Sequence, residues 1–176
     1  MKAYATDCQV GISGNNMSNS ASVLDNPVLK DLKAFVEQNV AAYLAEVEAP
    51  SDDVGAYITH SFLNFIDRGQ GHFRHAHFNS FISGVLYINA NRDTDRIHFY
   101  REKYSYFPHF NRKSNNGFNS DNWQFPVYTG RLIMFPSHIQ HSVEVTDSNY
   151  TRISLAFNTF LKGEIGNKET YDNLRL

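Results

Sequence analysis

The sequence has 176 residues, 41% of them hydrophobic and 19% charged, which suits one compact domain with a hydrophobic core. A formal net charge of -2 argues against general binding to nucleic acid, and one cysteine, Cys8, cannot form an internal disulfide. The apolar runs are too short to span a bilayer, and the first residues lack the apolar stretch of a signal peptide. We therefore expect a cytoplasmic protein without a nucleic-acid or membrane partner.

The beginning of the chain predicts an arm followed by a helix. Residues 1–22 are rich in Asn, Ser and Gly, which bury little apolar surface, so we expect a flexible arm or a loop laid over the core. Pro27 stands where a helix can begin, apolar residues then recur every three to four positions, and Pro50 ends the pattern. The sequence thus predicts an amphipathic helix over 26–47, within a single domain over 23–176.

Short aromatic and β-branched segments follow the helix, separated by Gly, Asn, Asp and Pro. The predicted strands are 56–65, 71–77, 81–89, 96–100, 123–128, 131–135, 142–145 and 152–158. Such a series without intervening helices predicts a mainly β fold, an antiparallel double sheet of the jelly-roll type. This architecture is a double-stranded β-helix, or cupin-like barrel. The segment 102–122 is a long aromatic loop, and together with the arm it is a candidate substrate lid or a simple cover over one sheet.

Three histidines have the spacing of a metal site on such a sheet. His75 and His77 are two residues apart in a predicted strand, so both side chains would point to one face. His141 opens a distant predicted strand and would add a third ligand, which leaves three positions of an octahedron for co-substrate and oxygen. A His-x-His pair alone is more often an ordinary surface or core feature. The order of these elements along the chain favours the metal site.

The last predicted strand offers a binding face for a carboxylate. Arg152, Ser154 and Ala156 alternate along it and therefore share one face. A guanidinium binds a carboxylate through two parallel hydrogen bonds, a hydroxyl adds another, and a small residue leaves room. We predict that this face binds an anionic small molecule.

Four segments together resemble a family of 2-oxoglutarate and iron(II)-dependent oxygenases with bacterial and phage-borne members. Its pattern reads H-x-H-x-x-S-x-x-S-G-V-x-Y, G-x-L-x-x-F-P-S, H-x-V and R-I-S-x-x-F-N. The corresponding segments of this chain begin at His75, Gly130, His141 and Arg152, and the resemblance covers roughly residues 56–160. It implies a cytoplasmic location in the host cell if a phage encodes the chain.

The resemblance also implies roles for particular residues. His75 and His141 would bind Fe(II), and Arg152 would pair with the distal carboxylate of the co-substrate 2-oxoglutarate. Tyr87 matches a strand tyrosine that hydrogen-bonds this carboxylate in related prolyl hydroxylases, and Asn64 matches an Asn near the site. With O2 as oxidant, the implied reaction is hydroxylation of a small-molecule or peptide substrate with succinate and CO2 as co-products. A peptidyl prolyl residue is the first candidate substrate, and an aromatic edge is compatible with a homodimer.

His77 stands where the wider superfamily has Asp in a His-x-Asp motif. Three alternatives follow: a site of three histidines, a site of two histidines completed by water, or a carboxylate supplied from elsewhere. A neutral imidazole neutralises none of the metal charge, in contrast to a carboxylate. We favour His77 as a ligand.

Two other functions fit part of the pattern. A cupin enzyme that does not use 2-oxoglutarate would share the barrel, but the expected Glu after His77 is absent and Arg152 would have no role. A catalytically silent jelly-roll module, for ligand binding or in a virion, would be indifferent to loss of His75 or His141. For His138 the sequence leaves three roles open: a residue near the metal, a substrate contact, or simply an exposed side chain. The sequence indicates structural roles for the remaining histidines, which are His60, His72, His98 and His109.

Overall fold

The computed structural model, which describes residues 8–51, 53–102 and 113–176, has two antiparallel β-sheets and one α-helix. The elements in chain order are β1 (Cys8–Val10), β2 (Asn16–Ser18), α1 (Lys30–Tyr43), β3 (Val54–Ile66), β4 (His72–His75), β5 (Ile82–Asn89), β6 (Arg96–Tyr100), β7 (Asn122–Pro126), β8 (Leu132–Pro136), β9 (His141–Val143), β10 (Arg152–Ile165) and β11 (Leu174–Arg175). The larger sheet has the order β1-β2-β3-β10-β5-β8, with β11 beside β10, and the smaller sheet has the order β4-β9-β6-β7. The predicted mainly β, jelly-roll architecture is confirmed.

The helical segment has three kinds of turn. A 3-10 turn over Pro27–Leu29 leads into α1, and a π turn over Leu44–Glu48 follows it. The Asn26 side chain accepts a hydrogen bond from the backbone N–H of Val28 at 3.0 Å, which caps the first turn. Ala49 has a left-handed conformation with φ 46°, and the next residue is proline, so the helical turns end there.

Strand β10 lies between a hydrophobic core and a cavity that contains several polar side chains. Leu155 and Phe157 belong to the core cluster that also contains Val36 and Val40 of α1. Arg152, Ser154 and Ala156 alternate with them and line the cavity. Because side chains of a strand point alternately to its two faces, one segment supplies both surfaces.

The first described residues form a hairpin, where the sequence predicts a flexible arm or a loop over the core. Strands β1 and β2 pair with each other, and β2 extends the larger sheet by pairing with β3. The Ser18 hydroxyl accepts a hydrogen bond from the backbone N–H of Leu63 at 3.0 Å. These hydrogen bonds to β3 hold the segment in place, although its own residues bury little apolar surface.

Three predicted strand boundaries were wrong in ways that matter for the site. Strand β4 ends at His75 and not at residue 77, and β9 begins one residue earlier than predicted, at His141. Strand β10 continues to Ile165, well past residue 158, because it pairs with the whole length of β3. Of the predicted aromatic loop 102–122, residues 103–112 lie outside the described part. No helix that the structure describes has the length and apolar character needed to cross a membrane.

Candidate metal and co-substrate site

His75 and His141 face each other across the smaller sheet. They are direct partners in the β4–β9 register, and their ring centroids lie 4.3 Å apart. Possible ligand atoms of His75, His77 and His141 all lie within 4.8 Å of one another. In the described part of the chain, the three imidazoles are therefore close enough to bind one metal ion.

His77 reaches this group by a different route from the one the sequence predicts. It lies beyond the end of β4, so strand alternation does not bring it to the face of His75. Its backbone N–H instead donates to the carbonyl of Ser137 at 3.0 Å, just after β8. Its ring centroid lies 5.0 Å from that of His75 and 5.1 Å from that of His141.

Backbone carbonyls orient two of the rings. The Nδ1 atom of His75 lies 2.8 Å from the carbonyl oxygen of Phe73, and that of His141 lies 3.1 Å from the oxygen of Ile139. A carbonyl only accepts, so each neutral ring has its proton on Nδ1. The lone pair on Nε2 is then available to a metal, which is the usual arrangement of histidine ligands.

Burial keeps these rings neutral. It lowers the pKa of His77 to about 4 and that of His141 to about 3, and the neighbouring imidazoles add to both shifts. The pKa of His75 is also lowered, again mainly by burial. A neutral imidazole is the form that binds a metal, so the site is ready for one at neutral pH.

His72 belongs to the same cavity, although the sequence indicates only a structural role for it. Its ring centroid lies 4.3 Å from that of His75. Its pKa is lowered to about 4 by burial, with smaller effects from the charges of His75 and Arg152. The spacing H-x-x-H-x-H is the available sequence signal for it, although His72 and His75 do not share a strand face in regular alternation.

Arg152 is a buried cation with a single, long ion pair among the described residues. Its side chain is 4% exposed, and Asp95 Oδ1 lies 3.9 Å from Nη1, beyond hydrogen-bond distance. Asp95 Oδ2 already accepts bonds from the Tyr150 hydroxyl at 2.6 Å and from the backbone N–H of Asn91 at 2.8 Å. Burial lowers the pKa of Arg152. A buried guanidinium in this state suits an anionic ligand, whereas no motif in the sequence points to Asp95.

The other predicted co-substrate residues lie in one row across the larger sheet. Ser154 of β10 is the register partner of Asn64 on β3 and of Tyr87 on β5. All three line a cavity of about 230 Å³ that the three histidines and Arg152 also line. Burial raises the pKa of Tyr87, so its hydroxyl stays protonated and is able to donate. Ile12 and Phe73 line the same cavity and are exposed, which places apolar side chains at its mouth.

A chain of hydroxyl groups lies beside His77. The Ser137 hydroxyl is 2.7 Å from that of Ser80 and 2.8 Å from that of Ser83, and Ser83 donates to Asn158 Oδ1 at 2.8 Å. Ser137 and Ser83 are buried, and Asn158 lines the cavity. These residues come from the motif segments of the sequence, so part of the motif serves to join β5, β8 and β10 next to the site.

The remaining histidines that the structure describes lie away from this cavity. His138 is exposed and lines a separate groove with Trp123, so of its three alternatives the exposed one fits. His60 is exposed, whereas His98 is buried with its Nε2 3.4 Å from a Glu144 carboxylate oxygen. His109 lies outside the described residues.

Residues 60–158, more than half of the chain, match the model of a protein family described as "Putative 2OG-Fe(II) oxygenase". A solved oxidoreductase of the 2OG-Fe(II) oxygenase family from Burkholderia pseudomallei is 10% identical, with 90% of this chain and 74% of that chain covered and a TM-score of 0.60. A prolyl-4-hydroxylase from Pseudomonas putida is 14% identical, with coverage of 90% and 79% and a TM-score of 0.60. HygX from Streptomyces hygroscopicus, solved with nickel and 2-oxoglutarate bound, is 8% identical, with coverage of 90% and 75% and a TM-score of 0.59. At these identities the structural likeness shows the fold alone. None of the curated proteins matches the sequence.

Proposed function

This chain belongs to the 2OG-Fe(II) oxygenase family, and on that premise we propose that it hydroxylates a small molecule or peptide at an iron centre held by His75, His77 and His141. The observation that carries the proposal is that these three imidazoles and the buried Arg152 line one cavity. Bound iron(II) couples oxidative decarboxylation of 2-oxoglutarate by O2 to oxygen insertion into a substrate C–H bond, which yields succinate, CO2 and the hydroxylated product. Family membership decides against the cupin enzyme and the silent module.

The protein's part in this reaction is to bind and orient. The Nε2 atoms of His75 and His141 face away from the carbonyls that hold their Nδ1 protons, and His77 supplies a third nitrogen. These three neutral ligands would hold the ion and would leave coordination positions for co-substrate and oxygen. This arrangement favours direct ligation by His77 over the two alternatives left by the sequence.

Arg152 is proposed to bind the distal carboxylate of 2-oxoglutarate. The row of Asn64, Ser154 and Tyr87 adds hydrogen-bond partners next to it, and Ala156 leaves room beside them. The cavity is otherwise largely apolar, which strengthens these interactions by excluding water. The fit between a buried, donor-rich floor and a dicarboxylate supports the assignment.

A peptidyl prolyl residue remains the first candidate substrate. It is supported by the resemblance of Tyr87 and its segment to prolyl hydroxylases, and the apolar mouth formed by Ile12 and Phe73 is compatible with a pyrrolidine ring. The division into an arm over 1–22 and one domain over 23–176, the absence of a nucleic-acid partner and a homodimer remain predictions.

The proposal is tested by measuring iron(II) binding, 2-oxoglutarate binding and succinate release for single variants. His75→Ala and His141→Ala should lose iron binding and succinate release, because each removes one of three ligands. Arg152→Ala should keep the metal but weaken 2-oxoglutarate binding by about 10- to 100-fold, since it removes charged hydrogen bonds. His138→Ala, an exposed histidine outside the cavity, is the matched control and should behave as the unsubstituted protein. Unchanged 2-oxoglutarate binding in Arg152→Ala would contradict the co-substrate assignment.

A further inference from the structure

The turn of the β1–β2 hairpin contains a buried side chain that contacts the co-substrate row. We infer that Asn15 is a positioning residue for 2-oxoglutarate, because it holds the Asn64 amide with its N–H donors toward the cavity. The inference rests on the proposed function and extends it to a segment for which the sequence predicts no role in binding. It makes the hairpin a wall of the co-substrate pocket.

The hairpin is fixed on two sides of the cavity. On one side Met17 is the register partner of Asn64 on β3, and Met17 lines the cavity. On the other side Gln70 Nε2 donates to the Gly14 carbonyl at 2.9 Å, and Gln70 lies just before β4. The hairpin therefore bridges the larger sheet and the loop that leads to the histidines.

The contact between Asn15 and Asn64 has a defined polarity. Asn15 is 0% exposed, and its Nδ2 donates to Asn64 Oδ1 at 3.2 Å. The same Nδ2 lies 3.4 Å from the carbonyl oxygen of Asn16, a second acceptor on the side to which the N–H groups of Asn15 point. Since Oδ1 of Asn64 is occupied, its Nδ2 must point elsewhere. Within the described ranges no protein group accepts from that Nδ2, and Asn64 lines the cavity.

An asparagine at position 15 leaves one of its own polar atoms unpaired. Its Oδ1 is buried and has no hydrogen-bond partner in the described part of the chain. A buried acceptor without a partner is unfavourable, and an apolar side chain would avoid it. What asparagine provides at this position is a donor to Asn64.

The floor of the cavity consequently presents donors to a ligand. Arg152 presents its guanidinium, Asn64 its Nδ2, and the Ser154 and Tyr87 hydroxyls lie in the same row. A carboxylate only accepts, and each of its oxygens takes more than one hydrogen bond. With its Nδ2 toward the cavity, Asn64 would therefore donate a hydrogen bond to the distal carboxylate of 2-oxoglutarate. If the amide were rotated, Oδ1 would face the carboxylate and repel it.

Two substitutions of Asn15 separate positioning from simple packing. Asn15→Ala removes the donor and lets the Asn64 amide rotate, so the Kd for 2-oxoglutarate should rise about 3- to 10-fold. Asn15→Asp offers an acceptor in its place, so Asn64 should turn its Nδ2 toward Asp and its Oδ1 toward the cavity. The Kd of the Asn15→Asp variant for 2-oxoglutarate should then rise about 10- to 100-fold. The Kd is measured by anaerobic titration of 2-oxoglutarate into the Fe(II)-loaded protein, followed by charge-transfer absorption, beside the thermal midpoint of each variant.

A double-substitution cycle tests whether the effect passes through Asn64. In an Asn64→Ala background, both Asn15 substitutions should change the Kd by less than about twofold, because the group that they position is gone. Asn16→Ala, in the same hairpin but outside the cavity lining, is the matched control and should leave the Kd unchanged. If Asn15 variants do not fold, Asn64→Asp takes their place. It keeps the bond from Asn15 and loses the donors, and it should raise the Kd by about tenfold or more.

The outcomes distinguish this inference from the proposed function. The inference is overturned if Arg152→Ala loses 2-oxoglutarate binding while Asn15→Asp binds as tightly as Asn15→Ala. It is equally overturned if the Asn15 effects persist in the Asn64→Ala background. If Arg152→Ala and the histidine variants all bind as the unsubstituted protein does, the proposed function itself is wrong.

Discussion

His77 is the residue at which the proposed metal site differs from the His-x-Asp pattern of the wider superfamily. Three neutral imidazoles would not reduce the double charge of an iron(II) ion held there. The negative charge of 2-oxoglutarate would then be attracted both by the full charge of the metal and by the buried Arg152. Binding of the co-substrate should therefore depend more strongly on electrostatics than at a site with a carboxylate ligand.

Substitution of His77 tests this charge argument. His77→Asp should keep or tighten iron(II) binding, because a carboxylate is a ligand with a compensating charge, and should weaken 2-oxoglutarate binding by about tenfold. His77→Ala should lose iron binding as His75→Ala and His141→Ala do, because it also removes one of three ligands. Metal and co-substrate titrations on the same samples give both constants. Iron binding by His77→Ala equal to that of the unsubstituted protein would identify His77 as a bystander.

At the scale of elements, the pairing of β5 with β10 places Tyr87 beside Ser154 and also requires a glycine. Gly84 is the register partner of Phe157, and a Cβ on Gly84 would lie 2.1 Å from the phenyl ring. Phe157 is part of the core and is not free to move away. The close approach of the two strands, and hence the position of the co-substrate row, depends on this glycine.

Gly84→Ala should therefore lower the free energy of unfolding by about 1–3 kcal/mol through overpacking. It should also weaken 2-oxoglutarate binding, since a shift of β5 displaces Tyr87. Urea unfolding and co-substrate titration measure the two effects. Gly117→Ala is the matched control, because a Cβ there meets no atom of the described residues within 4 Å, and a stability within about 0.5 kcal/mol of the unsubstituted protein is expected. Equal stability of the two variants would show that β5 accommodates the methyl group.

At the scale of the whole molecule, the two sheets bury a group of titratable rings between them. The pKa of His141 is lowered to about 3, and those of His72 and His77 to about 4, mainly by burial. Unfolded histidines titrate near their ordinary value of about 6.5. Between these values the unfolded chain binds more protons than the folded protein, so folding stability falls with falling pH.

We expect the metal-free protein to have its full stability above about pH 6.5 and to lose stability progressively as the pH falls toward about 4. Urea midpoints at several pH values measure this loss. His141→Gln should reduce the slope, because it removes one ring that titrates only on unfolding. His138→Gln, at an exposed position, should not change it. A midpoint that stays constant from pH 7 to pH 5 would rule out this account.

Local features of the sequence determined the class of fold and the order of the candidate site residues along the chain. Asn26 and Pro27 begin a helical segment, alternation along β10 distinguishes core residues from cavity residues, and Arg152 lies on the face that lines the cavity. These features depend on the chemistry and spacing of nearby residues, which a sequence displays directly.

The tertiary structure decided the contacts between distant segments. Asn15 meets Asn64 across 49 positions, Arg152 lies next to Asp95, and His77 is placed by a backbone bond to Ser137 and not by strand alternation. The composition of the β1–β2 hairpin does not predict that it is ordered, because it has little apolar surface. Its hydrogen bonds to β3 hold it in place instead. Strand register and the approach of one sheet to another depend on the packing of the whole chain, and no local pattern encodes them.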